Sequence, residues 1–162
     1  RATPSPCPFS GQPSGLPLRI AIVSDHAAFD LKADLREHLI ALGHEVADLG
    51  PDTEDRVDYP DYGYKLASGM AEGLADFGVA LCGSGIGIAI AVNRHPACRC
   101  ALVSEPLSAT LARTHNNANC IAMGARLIGP DMAKACLDAF LAADYSGGRH
   151  EARVAKLSHP AF

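Results

Sequence analysis

The chain has 162 residues, 48% hydrophobic and 20% charged, an ordinary composition for one globular domain with its own core. A net charge of −4 argues against a nucleic-acid partner, because phosphate-backbone binders carry a basic footprint. No apolar run reaches the ~20 residues of a membrane-spanning helix and no secretion leader is visible, so a cytoplasmic protein without membrane contact is expected.

Residues 1–17, RATPSPCPFSGQPSGLP, are rich in proline, serine and glycine and lack an apolar period. They are expected to form a disordered tail ahead of a single domain over 18–162. From Leu18, LRIAIVS is a continuous apolar run, the pattern of a strand buried on both faces. Leu31, Leu35, Leu39 and Leu42 recur at helical spacing, and Gly43 fits the stop after that helix. HEVADLG reads as a second strand, and residues 50–60 as a polar loop ending in Asp-Tyr-Pro. Next comes a helix over about Asp61 to Ala75. FGVALC is a buried strand running into the glycines GSGIG, with a helix over about Ile86 to Asn93. CRCALVS is a further strand. Ser104 is the expected N-cap of a helix with Pro106 in its first turn, ending near His115. CIAMGA is a short strand, a helix covers Pro130 to Ala143, and Gly147-Gly148 breaks the chain before a last helix starting near Arg149. Strand and helix alternate throughout. The expected fold class is α/β: a Rossmann-like three-layer sandwich, with a five-stranded parallel sheet and helices on both faces.

In such sheets ligands sit beyond the carboxyl ends of the strands. The residues there are Asp25-His26, the run Cys82-Gly83-Ser84-Gly85-Ile86-Gly87, Ser104-Glu105 and Gly124-Ala125-Arg126. The glycines at alternate positions let backbone amides approach a ligand, and the amides opening the next helix attract anions. The spacing is not that of a dinucleotide loop, and a P-loop's Lys-Ser/Thr ending is missing. What remains is an oxyanion cradle with a thiol at its lip. Cys82 is placed to act as base or nucleophile, or else is a core cysteine closing an apolar strand. His115, in THNNAN, suits proton transfer, or is simply favoured by the helix dipole. Arg149 and Arg153 lie four apart at a helix start, where like charge and the macrodipole both oppose them; a bound phosphate would offset this. Solvation beside Glu151 is the other account. By residue type alone, Asp25 fits a helix cap, His26 a first-turn residue, Tyr59 a loop aromatic, Asn116 a C-cap and Arg126 a surface charge equally well.

Six cysteines, Cys7, Cys82, Cys98, Cys100, Cys120 and Cys136, form no CxxC pair. Reduced thiols, mostly in the core, are expected. Cys98 and Cys100 alternate along one strand. His38, His44, His95, His150 and His159 are scattered, so no metal site is expected.

Together, SDHAAFDLK, DYPDY, LCGSGIGIAIAVNR, SEP, HNNAN and GGRHEARV, in this order over roughly residues 18–158, resemble ribose-5-phosphate isomerase type B. The resemblance implies an aldose–ketose isomerase acting through an enediolate without a cofactor. It makes Cys82 the base between C1 and C2, and His115 the group that assists opening of the furanose ring. Gly83, Ser84, Gly85, Ile86 and Gly87 would hold the enediolate oxygens with their amides. Asp25, His26, Asn116, Arg126, Arg149 and Arg153 would bind the sugar and its phosphate, and Tyr59 would line the site. It also implies a homodimer or dimer of dimers with sites between subunits, in which His115, Asn116, Arg126 and Tyr59 face the partner's thiol. Family members without the cysteine use a glutamate further along the loop; that position is Ile88 here, so the chain resembles the cysteine class. The family generally lacks the N-terminal tail.

Three other readings stay open. Six-carbon sugar phosphates such as allose or galactose 6-phosphate would use the same chemistry, although galactose-6-phosphate isomerases divide the active residues between two different subunits. A non-catalytic sugar-phosphate-binding module would need neither Cys82 nor His115. A redox protein would prefer a paired thiol.

Overall fold

The computed structural model describes residues 17–162. The expected tail, but for Pro17, lies outside the described residues, as does Cys7. Strands β1 (Arg19–Ser24), β2 (Glu45–Asp48), β3 (Phe77–Cys82), β4 (Cys100–Leu102) and β5 (Cys120–Gly124) alternate with helices α1 (Phe29–Ala41), α2 (Tyr59–Ala71), α3 (Ile86–Val92), α4 (Pro106–Asn116) and α5 (Pro130–Ala142). A last helix, α6 (Glu151–Ser158), comes after a 3-10 turn over Gly148–His150. The strands form one sheet in the order β2-β1-β3-β5-β4 with every pair parallel, as expected for this fold class.

Alternation along the strands sorts the two faces. Ile20, Ile22, Val79, Leu81, Ile121 and Met123 pack with Leu31, Leu35 and Leu39 of α1, Ala109 and Ala112 of α4, and Leu137 and Phe140 of α5. Each fully buried leucine contributes about 1.5–3 kcal/mol. On the other face Ala21, Ala80 and Ala122 are small, and Leu66 of α2 and Ile88 and Val92 of α3 cover them. A Cβ at Gly63 would stand 2.7 Å from that of Ala91, so α2 and α3 touch through small residues. This close packing sets α3, and with it the glycine loop, against the sheet.

The chain goes from β1 outward to β2, then crosses to β3 on the other side of β1. The sheet order therefore switches between β1 and β3, where a parallel sheet opens a crevice. Asp25 follows the end of β1 and Cys82 ends β3, the two strands flanking that crevice; Asp25 N–H donates to the Leu81 carbonyl at 3.1 Å.

Several element boundaries differ from the sequence expectation. Helix α2 begins at Tyr59 rather than Asp61 and stops at Ala71 rather than Ala75, since Gly73 adopts φ +78° just past its end. Helix α4 is capped by Glu105, not Ser104: Pro106 opens the helix, so the residue before it takes the cap. The Glu105 carboxylate accepts from Leu107 N–H at 2.6 Å and Ser108 N–H at 2.8 Å.

Candidate active site

Cys82 is the last residue of β3 and only 4% exposed. Its Sγ accepts a hydrogen bond from Gly85 N–H at 3.1 Å. That bond exists because the chain doubles back over Gly83-Ser84-Gly85, with Gly85 at φ +76°. The loop is stitched to the end of β5. Ala125 N–H donates to the Cys82 carbonyl and Arg126 N–H to the Gly83 carbonyl, each at 2.9 Å. A Cβ at Gly124 would fall 2.5 Å from the Ser84 carbonyl carbon, so the two loops meet backbone to backbone. The Gly85 amide is taken by the thiol and the Ile86 amide donates to Ser84 Oγ at 3.2 Å. These two of the loop's amides already have partners.

Four of the other candidates lie at the carboxyl end of β1 or against the glycine loop. The Asp25 carboxylate caps the turn His26–Ala28 through Oδ1, which accepts from Ala27 and Ala28 N–H. His26 Nδ1 lies 3.2 Å from the Val57 carbonyl oxygen and 3.3 Å from Val57 N, which fixes the ring. The Tyr59 ring lies where a Cβ on Gly87 would be, its Cζ 2.5 Å from that point. The Arg126 side chain passes over Gly83, with a guanidinium nitrogen 3.4 Å from the corresponding point. Tyr59 and Arg126 thus sit against their own chain's glycine loop.

His115, Asn116, Arg149 and Arg153 are elsewhere. Helix α4 runs back from β4, so its last turn, carrying His115 and Asn116, lies at the amino edge of the sheet. Nearby, Gly78 N–H at the start of β3 donates to the Asn119 carbonyl, and Arg99 Nε donates to that of Asn117. From Gly78 to Cys82 the strand alone spans about 13 Å. The His115 ring stacks on that of His150, with centroids 4.5 Å apart and planes at 15°. Arg149 Nε points to His150 Nε2 at 3.4 Å. Burial, then the neighbouring His115, Arg149 and Arg153, hold the His150 imidazole below its usual range. Both arginines are exposed and, among the described residues, neither is in a salt bridge. The cluster gathers two guanidinium groups and two imidazoles at the start of α6.

The sequence reading missed His150, which it grouped with the scattered histidines; its place between Arg149 and Arg153 was the available signal. It missed Val57 because a backbone clamp leaves no mark in residue type. The other described thiols are free. Burial pushes those of Cys100 and Cys136 up, and the bond to Cys98 together with burial does so for Cys120, keeping them protonated in the core. Cys98 precedes β4 rather than lying within it. Among the described residues, no group of three or more His, Cys, Asp and Glu is arranged to hold a metal ion, and no helix is long and apolar enough to cross a membrane.

The sequence pattern of the Ribose/Galactose Isomerase family matches residues 20–157. The ribose-5-phosphate isomerase B of Escherichia coli is 44% identical over 136 residues, covering 84% of this chain and 91% of that protein. A D-erythrulose-4-phosphate isomerase of Pectobacterium atrosepticum is 41% identical, covering 88% and 94%. The crystal structure of a ribose 5-phosphate isomerase from Thermotoga maritima superposes with a TM-score of 0.85 at 47% identity, covering 87% of this chain and 97% of that one.

Proposed function

The chain belongs to the Ribose/Galactose Isomerase family, and from that premise we propose that it interconverts ribose 5-phosphate and ribulose 5-phosphate in the cytoplasm. Cys82 is the base and His115 assists ring opening. The observation that carries this reading is the thiol held at the sheet's crevice against a loop of backbone amides. The Cys82 thiolate takes the proton from C2 of the open-chain aldose. The C2–H electrons form the C1–C2 double bond, and the carbonyl oxygen at C1 takes up charge. Amides of the glycine loop not already engaged stabilise the enediolate, commonly the largest catalytic term. The thiol returns the proton to C1 while the C2 hydroxyl proton passes to the C1 oxygen, so C1 ends as a hydroxymethyl group and C2 as the carbonyl. One proton moves between neighbouring carbons, so no cofactor enters.

The active site in this reading is shared between two copies of the chain. One supplies Cys82, the glycine loop, Asp25, His26, Tyr59 and Arg126; the other supplies His115, Asn116, Arg149 and Arg153. Support comes from the length of β3 between the two clusters and from the surface around the loop. Ile86 and Ile90, on one face of α3, are 50% and 54% exposed, and Leu102 and Leu127 are also exposed. Helix α6, next to Arg149 and carrying Arg153, buries only Val154 within its own chain. The arginines grip the phosphate, and that binding energy orients the reacting end.

Turnover of ribose 5-phosphate to ribulose 5-phosphate by the purified protein, lost by about 10²–10⁴-fold in Cys82→Ala, is the expected result. Undiminished activity in Cys82→Ala would remove the base. The relative named for D-erythrulose 4-phosphate favours a second reading, a shorter substrate on the same site. Four- and six-carbon sugar phosphates therefore belong in the same assay. Silence on all of them would favour a binding module.

A further inference from the structure

We propose that Lys32 is a positioning residue for substrate binding: its buried ammonium fixes the segment from Asp48 to Asp58 that orients His26 and delivers Tyr59 to the glycine loop. The inference rests on the isomerase reading above.

Lys32 is the one buried lysine among the described residues, 3% exposed on α1. A buried ammonium is tolerated only where its donors are engaged. Nζ donates to Asp48 Oδ1 and to the Pro51 carbonyl, each at 2.7 Å, and lies 5.6 Å from the centre of the Phe29 ring. The same Asp48 oxygen accepts from Gly50 N–H at 2.9 Å. One cation therefore ties together the residues where the chain leaves β2. That strand is at the sheet edge and pairs with β1 alone, so its ladder does little to hold the segment beyond it.

Within that segment, Asp52 to Arg56 are exposed and have few anchors of their own. The segment enters beside the site, where the Gly50 carbonyl accepts from Ser24 N–H at 3.1 Å, one residue before Asp25. It leaves through Val57, whose backbone clamps His26 Nδ1, and ends at Tyr59 against Gly87. A leucine or methionine at position 32 would fill the core as well. Only a charged donor also grips two oxygens of the departing segment. The costly group thus serves the segment rather than the packing.

In that reading His26 and Tyr59 bind the substrate and take no part in the proton transfer. Loosening them removes binding common to ground and transition states, which raises KM and leaves kcat in place. Lys32→Met is expected to raise KM for the sugar phosphate by about tenfold with kcat within about twofold. Lys32→Arg, which keeps the charge and the donors, is expected to bring KM back toward the wild-type value. A lysine that merely stabilised the fold would lower the active fraction and the melting temperature and leave KM alone. Asp48→Asn keeps the side chain's size and its acceptor but removes the charge facing Nζ. It carries the test if Lys32→Met yields no folded protein, with an expected rise in KM of about threefold. An unchanged KM in the folded variants of an active wild type would overturn the inference alone. A wild type inactive on every sugar phosphate would take the underlying reading with it.

Discussion

Gly85 meets two demands that no side chain satisfies. Its φ is +76°, and a Cβ there would lie 2.7 Å from the Met123 carbonyl carbon and 2.9 Å from its oxygen. Its N–H is also the donor to Cys82 Sγ. Gly85→Ala is therefore expected to cost about 1–3 kcal/mol of stability and to lower turnover beyond that loss, read from urea unfolding and steady-state rates on the folded fraction. A variant of wild-type stability would contradict the close approach. The thiol and its glycines were legible in the sequence because residue type announces their chemistry. Asp25 was not, since a cap and a ligand look alike in one sequence; the structure gives it the cap, and Oδ1 takes both bonds. Arg149 and Arg153 stood out as candidates for a physical reason, as like charges placed where the helix dipole opposes them.

Among the elements, α4 carries a testable consequence of its cap. Hydrogen bonds from the Ser108 hydroxyl and then from the backbone hold the Glu105 carboxyl below its ordinary value of 4.5. A carboxyl whose folded-state value is depressed adds stability above the unfolded value and loses it as pH falls through the folded one. Glu105→Ala is accordingly expected to lower the melting midpoint by a few degrees at neutral pH, with the gap to wild type closing as the pH falls below the ordinary carboxylate range. A gap that persists in acid would assign the effect to something other than the charge. The alternation of elements was plain from the apolar periods, but their ends were not. Ser104 and Glu105 both flank a proline, and only the helix's true first residue decides which one caps it. Tyr59 was placed in a loop because the start of α2 cannot be read from a polar stretch; as the helix's first residue its ring reaches Gly87.

For the whole molecule, the strand order is what assigns the candidates to groups. Parallel strands were evident in the sequence, whereas the order β2-β1-β3-β5-β4 depends on packing that no local pattern encodes. That order puts Cys82 between Asp25 and the β5 loop, with His115 and the arginine cluster at the other edge of the same sheet. Position along the chain gives no hint that Tyr59 and Arg126 belong with the thiol and His115 does not. If two copies share each site, the two catalytic residues are supplied by different chains.

Complementation between inactive variants tests this most directly. Cys82→Ala and His115→Ala proteins would each be assayed alone, then mixed in equal amounts, allowed to exchange subunits and assayed again. Random exchange makes half the dimers mixed, and each mixed dimer holds one site with both residues intact, so recovery to about a quarter of wild-type activity is predicted. No recovery, with mixed assemblies confirmed by native mass spectrometry, would contradict a site shared between copies and the pairing of Cys82 with His115.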